Sequence, residues 1–411
     1  MTTAAPSRSL NPFRILVQYR NFRLFWIGQT ISLVGSWMQQ VAVGWLALEL
    51  SNDPFVVGIV AAAGTLPILL FSLPGGMLAD VADKLRVIRT AQVLMLVEAS
   101  VLWYLAWTGH LNIPSLIILT SIGGLLAAFE IPARQALFVE LVGREDLAPA
   151  IALNSTGFNL ARVIGPSIAA VIIAKWGIAW TFGTNALSFV AVLIGLSMIT
   201  LVPRESSEAP RQGALAGIAE AVRYVRETPP LPMLMLIAMI FSLLGIPIIT
   251  LLPVVARDVL GLGADGYGAL MAVLGIGAMV GALSIAATGG GINKGRTMHI
   301  ASHAFPILLI AFSVVRVPTL NAVLIFGIGI AMIVNNALVN ARLQEVVPNA
   351  LRGRVISLYV MVYIGASPIG SFTAGALAKW AGAAWAIGGT ATLMLLFALW
   401  VFRREPALTA H

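Results

Sequence analysis

The sequence predicts an all-α membrane protein with twelve transmembrane helices in two pseudo-symmetric six-helix bundles. Three observations predict it. Of 411 residues, 59% are hydrophobic and only 10% charged, a composition that an ordinary water-facing globular surface cannot carry. Twelve apolar runs come close to the roughly 20 residues that cross a hydrocarbon core as helix. The loops between them carry their positive charge on alternate sides: of the 25 Lys and Arg, twenty fall on one side, four (Lys175, Arg257, Arg316 and Lys379) on the other, and Arg162 alone lies within a span.

Residues 1–21 are polar and arginine-containing, and the run after them is long enough to span. They read as a cytoplasmic segment with no cleavable signal. Spans begin near Phe22, Pro54, Val87, Pro114, Ala150 and Trp180, which makes a first bundle over 22–202. The longest polar stretch follows, a linker over 203–230 holding Arg204, Glu205, Glu208, Arg211, Glu220, Arg223, Arg226 and Glu227. Within it Leu215, Ile218, Val222 and Val225 recur at helical spacing, which predicts a short amphipathic helix on the cytoplasmic membrane surface. Spans near Pro232, Tyr267, His299, Leu320, Val355 and Ala384 make a second bundle over 231–403, with a cytoplasmic tail over 404–411. The charge bias puts both termini in the cytoplasm, and an even helix count agrees.

Several functions are excluded. The net charge of +8 is dispersed over loops, where it fixes topology and meets anionic lipid headgroups; it forms no stripe that tracks phosphates, so no nucleic-acid partner is expected. The absence of cysteine rules out disulfides, thiolate nucleophiles and cysteine-ligated metals. His299 and His303 stand at i, i+4 without a third ligand, so no metal is expected. No glycine-rich phosphate loop ending in Lys-Ser/Thr is present, so ATP is not the expected energy source. Neither a cofactor nor an enzymatic activity is expected.

The halves resemble each other. Ala174-Lys175-Trp176 after the fifth span answers Ala378-Lys379-Trp380 after the eleventh, and Ala133-Arg134 answers Ala341-Arg342 at the ends of the fourth and tenth. Such internal repeats build many secondary transporters, with the substrate site near mid-membrane between the halves.

After the second span the chain reads Gly76-Met77-Leu78-Ala79-Asp80-Val81-Ala82-Asp83-Lys84-Leu85-Arg86. Gly76, Asp80 and Lys84 resemble the cytoplasmic loop signature of the major facilitator superfamily, although Val81 and Asp83 replace its basic residue and second glycine. The resemblance implies a cytoplasmic gate in which Asp80 engages Glu130 and Arg134 at the inner end of helix four. The fifth span holds Gly165-Pro166 within Ala161-Arg162-Val163-Ile164-Gly165-Pro166, similar to the exporter-associated helix-packing signature of that superfamily. The segment from Phe129 to Leu196 most resembles the subgroup of enterobactin exporters and macrolide efflux proteins. That likeness implies a bacterial inner-membrane transporter that moves its cargo by alternating access.

In the first span Gln29, Ser32, Ser36 and Gln40 form one polar stripe; Asn159, Asn336, Asn340, Tyr359 and Tyr363 stand at similar depths elsewhere. Polar side chains there either bond neighbouring helices or line a wet cavity, and together they are expected to line the substrate cavity. Arg162 needs a carboxylate or water, because a guanidinium cannot shed its proton. Glu98 and Glu130 are the candidates to answer it and to carry a coupled proton, with Glu130 preferred because helix four lines the cavity in the family. The expected protein is a monomeric proton-coupled exporter of a moderately hydrophobic small molecule, drug or siderophore-like. The alternatives are an importer or lipid flippase of the same fold, or a non-transporting membrane sensor or partner.

Overall fold

A computed structural model describes residues 13–143, 145–200, 214–288 and 291–409; Arg8, Arg144, Arg204, Glu205, Glu208 and Arg211, which entered the charge reading, lie outside them. Among the described residues the chain is helical and has no strand. After a short turn of helix at Arg14–Gln18, the first half consists of α1 (Arg20–Ser51), α2 (Pro54–Val81), α3 (Lys84–Trp107), α4 (Ile113–Val142), α5 (Leu147–Trp176) and α6 (Ala179–Ser197). A linker helix, Ala214–Glu227, leads to α7 (Leu231–Val259), α8 (Ala264–Ala287), α9 (Lys294–Val314), α10 (Pro318–Val346), α11 (Asn349–Ala381) and α12 (Ala383–Arg404). Eleven of these helices are long and apolar enough to cross a membrane. The other is α3. Its 24 residues reach about 36 Å at 1.5 Å per residue, but Lys84, Arg86, Arg89, Gln92 and Glu98 dilute its apolar character.

Helix ends follow local chemistry more than hydropathy. The apolar pattern starts near Val87 and His299, yet α3 and α9 begin at Lys84 and Lys294. In both, a side-chain oxygen caps the first turn: Asp83 accepts from the Arg86 N–H and Asn293 from the Arg296 N–H. Such caps satisfy donors that the helix leaves unpaired. Basic residues at this end also act on helix termini, since Arg89 donates to the Leu196 carbonyl at the end of α6.

The packing order of the first six helices recurs in the second six. α2 packs on α4 as α8 does on α10, α3 on α4 and α6 as α9 does on α10 and α12. Ion pairs repeat too: Lys84 on α3 meets Glu140 on α4 at 2.8 Å, and Lys294 on α9 meets Glu345 on α10. Between the halves α2 crosses α11 and α5 crosses α8, the two-fold-related pair of contacts.

α7 alone is broken. Its helix opens into π turns at Phe241–Gly245 and Val255–Val259, around Pro247 and Pro253. Proline supplies no N–H and crowds the preceding turn, so the backbone widens there. The second π turn carries Arg257, which reaches α1 across the interface.

The linker helix forms as its spacing predicts, but it is seated on protein. Ala221 and Val225 are buried in a core shared with α7 and α11, and Glu220 pairs with Arg354 of α11. The side chains of Leu215 and Ile218 lie outside the described residues.

Candidate substrate and coupling site

The halves meet closely at one end. At the end bearing the few positive charges, Gly58 of α2 and Gly375 of α11 touch backbone to backbone; a Cβ on Gly58 would stand 2.6 Å from the Ser371 carbonyl and 3.0 Å from the Gly375 Cα. Only small residues let helices approach so far. Around this crossing Lys379 pairs with Asp53 at 2.6 Å, Phe55 packs edge-on to Phe372 with centroids 5.1 Å apart, and Arg257 donates to Asn52 at 2.7 Å. Lys379 holds the Asp53 carboxyl below the usual carboxylate range by hydrogen bonding to it. At the arginine-rich end of the same two helices, Gly76 and Gly353 face open space. The tight backbone contact at Gly58 is therefore not repeated at Gly76 and Gly353.

Above the closed crossing lies a cavity of about 430 Å³. Its walls include Ser36, Gln39 and Gln40 of α1, Thr65 of α2, Glu98 of α3, Thr120 of α4, Asn185 of α6, Thr250 of α7, Tyr267 of α8, and Ser367 and Ser371 of α11, among apolar residues. Tyr267 stacks on Trp45 with centroids 6.2 Å apart. Thr250 and Ser371 share a hydroxyl hydrogen bond of 2.9 Å across the α7–α11 contact.

A directed hydrogen-bond chain occupies one wall. Gln39 Nε2 donates to both Glu98 oxygens, at 3.1 and 3.2 Å. Gln39 Oε1 accepts from Asn185 Nδ2 at 2.7 Å, and the Ser188 hydroxyl lies 3.0 Å from Asn185 Oδ1. The acceptors fix both amide orientations, since a flipped Gln39 would set donor against donor. Three helices converge here because Gly35 leaves room on α1: a Cβ there would lie 2.3 Å from both Asn185 Oδ1 and Ser188 Oγ. On the other side Gly123 of α4 offers Glu98 Oε1 a hollow, its built Cβ 3.5 Å away. Glu98 is 5% exposed and its recorded hydrogen-bond donor is a neutral amide.

The sequence-predicted site residues fall into separate groups. Ser36 and Gln40 line the cavity; Gln29 and Ser32, on the same stripe, are buried in helix packing. Asn159 donates to the Ser155 carbonyl on its own helix. Asn336 accepts from the Tyr359 hydroxyl, Tyr363 stacks on Tyr359, and Asn340 accepts from Gln344; none of these five lies in the cavity wall. Glu130 pairs with Arg134 at 3.3 Å along α4. Asp80 is exposed and has no ion pair with either among the described residues. Arg162 makes no ion pair with either glutamate among the described residues, and its Nη2 is buried without a hydrogen-bond acceptor among them. Gly165 packs against α1, its Cβ position 2.6 Å from Trp37 Cβ, and Pro166 is buried beside it. His299 and His303 stack with Phe402.

Gln39 and Asn185 are the residues that sequence reasoning passed over. Gln39 stands at i+7 from Ser32 and i+3 from Ser36, so it belongs to the same stripe as Gln40. Asn185 and Ser188 are a polar i, i+3 pair on the apolar α6.

The sequence profile of the family described as transmembrane secretion effector matches residues 7–409. The chain belongs to this family. It is a membrane transporter of the major facilitator superfamily, and not an enzyme. Its relatives include the multidrug efflux pump Tap of Mycolicibacterium fortuitum, 28% identical over 85% of this chain and 87% of the relative. The staphyloferrin A transporter of Staphylococcus aureus is 26% identical over 85% and 87%. The enterobactin exporter of Citrobacter koseri is 25% identical over 95% of both. Among solved structures, a bacterial homolog of the human lysosomal transporter Spinster superposes with a TM-score of 0.74 over 98% of each chain at 13% identity. The D-xylose–proton symporter gives 0.69 over 92% and 97% at 15% identity. At these identities the likeness shows the fold alone.

Proposed function

We propose that this transporter is a proton-coupled exporter of moderately hydrophobic small molecules, working by alternating access. The observation that carries the reading is the placement of Glu98: a buried carboxyl on a cavity between two halves, held by a neutral amide chain. A carboxyl in such a place takes and releases a proton as water and cargo come and go, whereas a permanent salt bridge would hold its charge fixed. Glu130 is the weaker carrier, because it is tied to Arg134 and stands outside the cavity wall.

The charge bias puts the arginine-rich end, and both termini, in the cytoplasm of a bacterial inner membrane. The close α2–α11 contact at the opposite end supports a state closed there, the state in which an exporter loads from the cytoplasm. The halves 22–202 and 231–403 then rock about the α2–α11 and α5–α8 crossings, with 203–230 as tether, and one chain suffices. Asp80, free of ion pairs among the described residues in this state, is positioned to engage the inner ends of α4 and α11 when that face closes.

Accumulation of a panel of dyes and antibacterial compounds, compared in cells with and without the protein, tests direction and cargo. Lower accumulation of at least one compound, restored by a protonophore, is expected. Higher accumulation would establish import.

A further inference from the structure

The cavity wall is charged at a single point. Among the described residues that line it, Glu98 is the one acidic group and there is no Lys, Arg or His; the other polar groups are amides and hydroxyls, with Tyr267 at the closed end. Arg162, the one basic residue within a span, is packed at the α5–α8 crossing, where its carbonyl lies 2.7 Å from the Cβ position of Gly275, and it is not part of the wall. The remaining lining is apolar side chain, including Val57, Ile68, Met95 and Phe189.

This pattern discriminates between chemical classes of cargo. An anion in the cavity would face a carboxylate and find no fixed cation to replace its hydration, which is costly in a water-poor site. An amphiphilic cation would find the opposite: apolar walls for its body and the Glu98 carboxylate for its charge. The amide chain reinforces this. Gln39 donates to Glu98 and leaves each carboxyl oxygen a further lone pair, and the Gly123 hollow keeps space beside Oε1.

We propose that the cavity selects by charge, binding amphiphilic organic cations with the Glu98 carboxylate as counter-ion and excluding carboxylate-bearing compounds. The proposal rests on reading this cavity as the transport site. It also makes proton and cargo rivals for one group: the proton that enters neutralises the carboxylate and releases the cation, and the cation that loads displaces the proton.

Equilibrium binding of radiolabelled tetraphenylphosphonium to the purified full-length protein in lipid nanodiscs tests this, with tetraphenylborate, nearly its equal in shape and opposite in charge, as the rival probe. With each ion assayed separately, because the two pair and precipitate together, the expected results are saturable phosphonium binding, weakened at least about tenfold by Glu98→Gln, as loss of a charged partner implies, and kept by Glu98→Asp, with no saturable borate binding. The comparison of the two probes on the unmodified protein stands even if Glu98→Gln fails to fold. Equal binding of borate, borate binding abolished by Arg162→Gln, unaltered phosphonium binding in folded Glu98→Gln, or no phosphonium binding to the unmodified protein would each overturn charge selection. Because the readout is binding, it is distinct from the transport reading: Glu98-dependent phosphonium binding without pH-driven movement in vesicles would sink coupling and leave selectivity standing.

Discussion

Lys379 at the end of α11 places its ammonium 2.6 Å from the carboxylate of Asp53 at the head of α2, joining the two halves. The pair is one-sided. The repeat relates Lys379 to Lys175 and the α2–α11 crossing to that of α8 with α5, where Gly268 meets Ala170; counting back from Gly58 and Gly268, the position matching Asp53 is Gly263. Lys175 lies over Trp176 instead. One crossing is thus latched by charge, and among the described residues its counterpart has no matching ion pair.

Breaking the latch should shift the protein toward the state open at the sparsely charged end. The pair is partly exposed, so its contribution is on the order of 0.2–1 kcal/mol, a population change of up to about fivefold. The chain has no cysteine, so spin labels at Met77→Cys and Gly353→Cys report the separation at the basic end directly. Lys379→Gln should increase the short-distance population, and an unchanged distribution would leave the pair without a gating role.

The same latch carries a pH dependence of known sign. Lys379 depresses the Asp53 carboxyl, so the stabilisation is complete above the ordinary carboxylate range and is lost as pH falls through the depressed value. In a Glu98→Gln background, which removes the coupling carboxyl, the label distances should stay constant from neutral pH down to the ordinary carboxylate range and move toward the Lys379→Gln distribution only below it. A transition near neutrality would implicate another group.

Backbone contact at Gly58 admits no side chain. Even a methyl group meets the Ser371 carbonyl at 2.6 Å, so Gly58→Leu should hold the α2–α11 crossing apart and cut turnover by an order of magnitude or more, while cargo binding persists. Full turnover with normal membrane insertion would mean that the crossing is looser than its geometry.

At the other face, Asp80→Asn should lower turnover much more than folded yield if Asp80 engages helix ends when that face closes. Unchanged transport at normal expression would reduce the loop to a topology signal.

The helical membrane architecture was legible in the sequence because bilayer physics writes it there: apolar length gives spans. Hydropathy marks only the apolar part of each helix, so the starts at Lys294 and Asn349 were read late, at His299 and Val355. The repeat was visible in Ala174-Lys175-Trp176, and the structure adds matching caps at Asp83 and Asn293 and matching ion pairs at Lys84 and Lys294. The site was less legible. A polar residue in a span can face a neighbour or a cavity, and which one depends on helix rotation: Gln29 and Ser32 pack while Ser36, Gln39 and Gln40 line the void. Arg162 called for a carboxylate or water, and among the described residues it has no ion pair with Glu98 or Glu130.

The amide chain offers a graded test of positioning. Gln39→Leu removes the donor to Glu98 and strands Asn185, so proton-coupled transport should fall severalfold with the fold intact, and Gln39→Asn should fall too, because the shorter side chain cannot reach both partners. Normal coupling in both would make the chain structural.

The most direct test concerns Glu98 itself. Purified protein in vesicles with an imposed pH gradient and no external energy source should drive cargo movement against its concentration gradient. Glu98→Gln should abolish the gradient-driven component while leaving downhill cargo exchange measurable, and Glu130→Gln should retain the driven component. Full gradient-driven transport by Glu98→Gln would contradict the account, and its loss in Glu130→Gln alone would move the proton to helix α4.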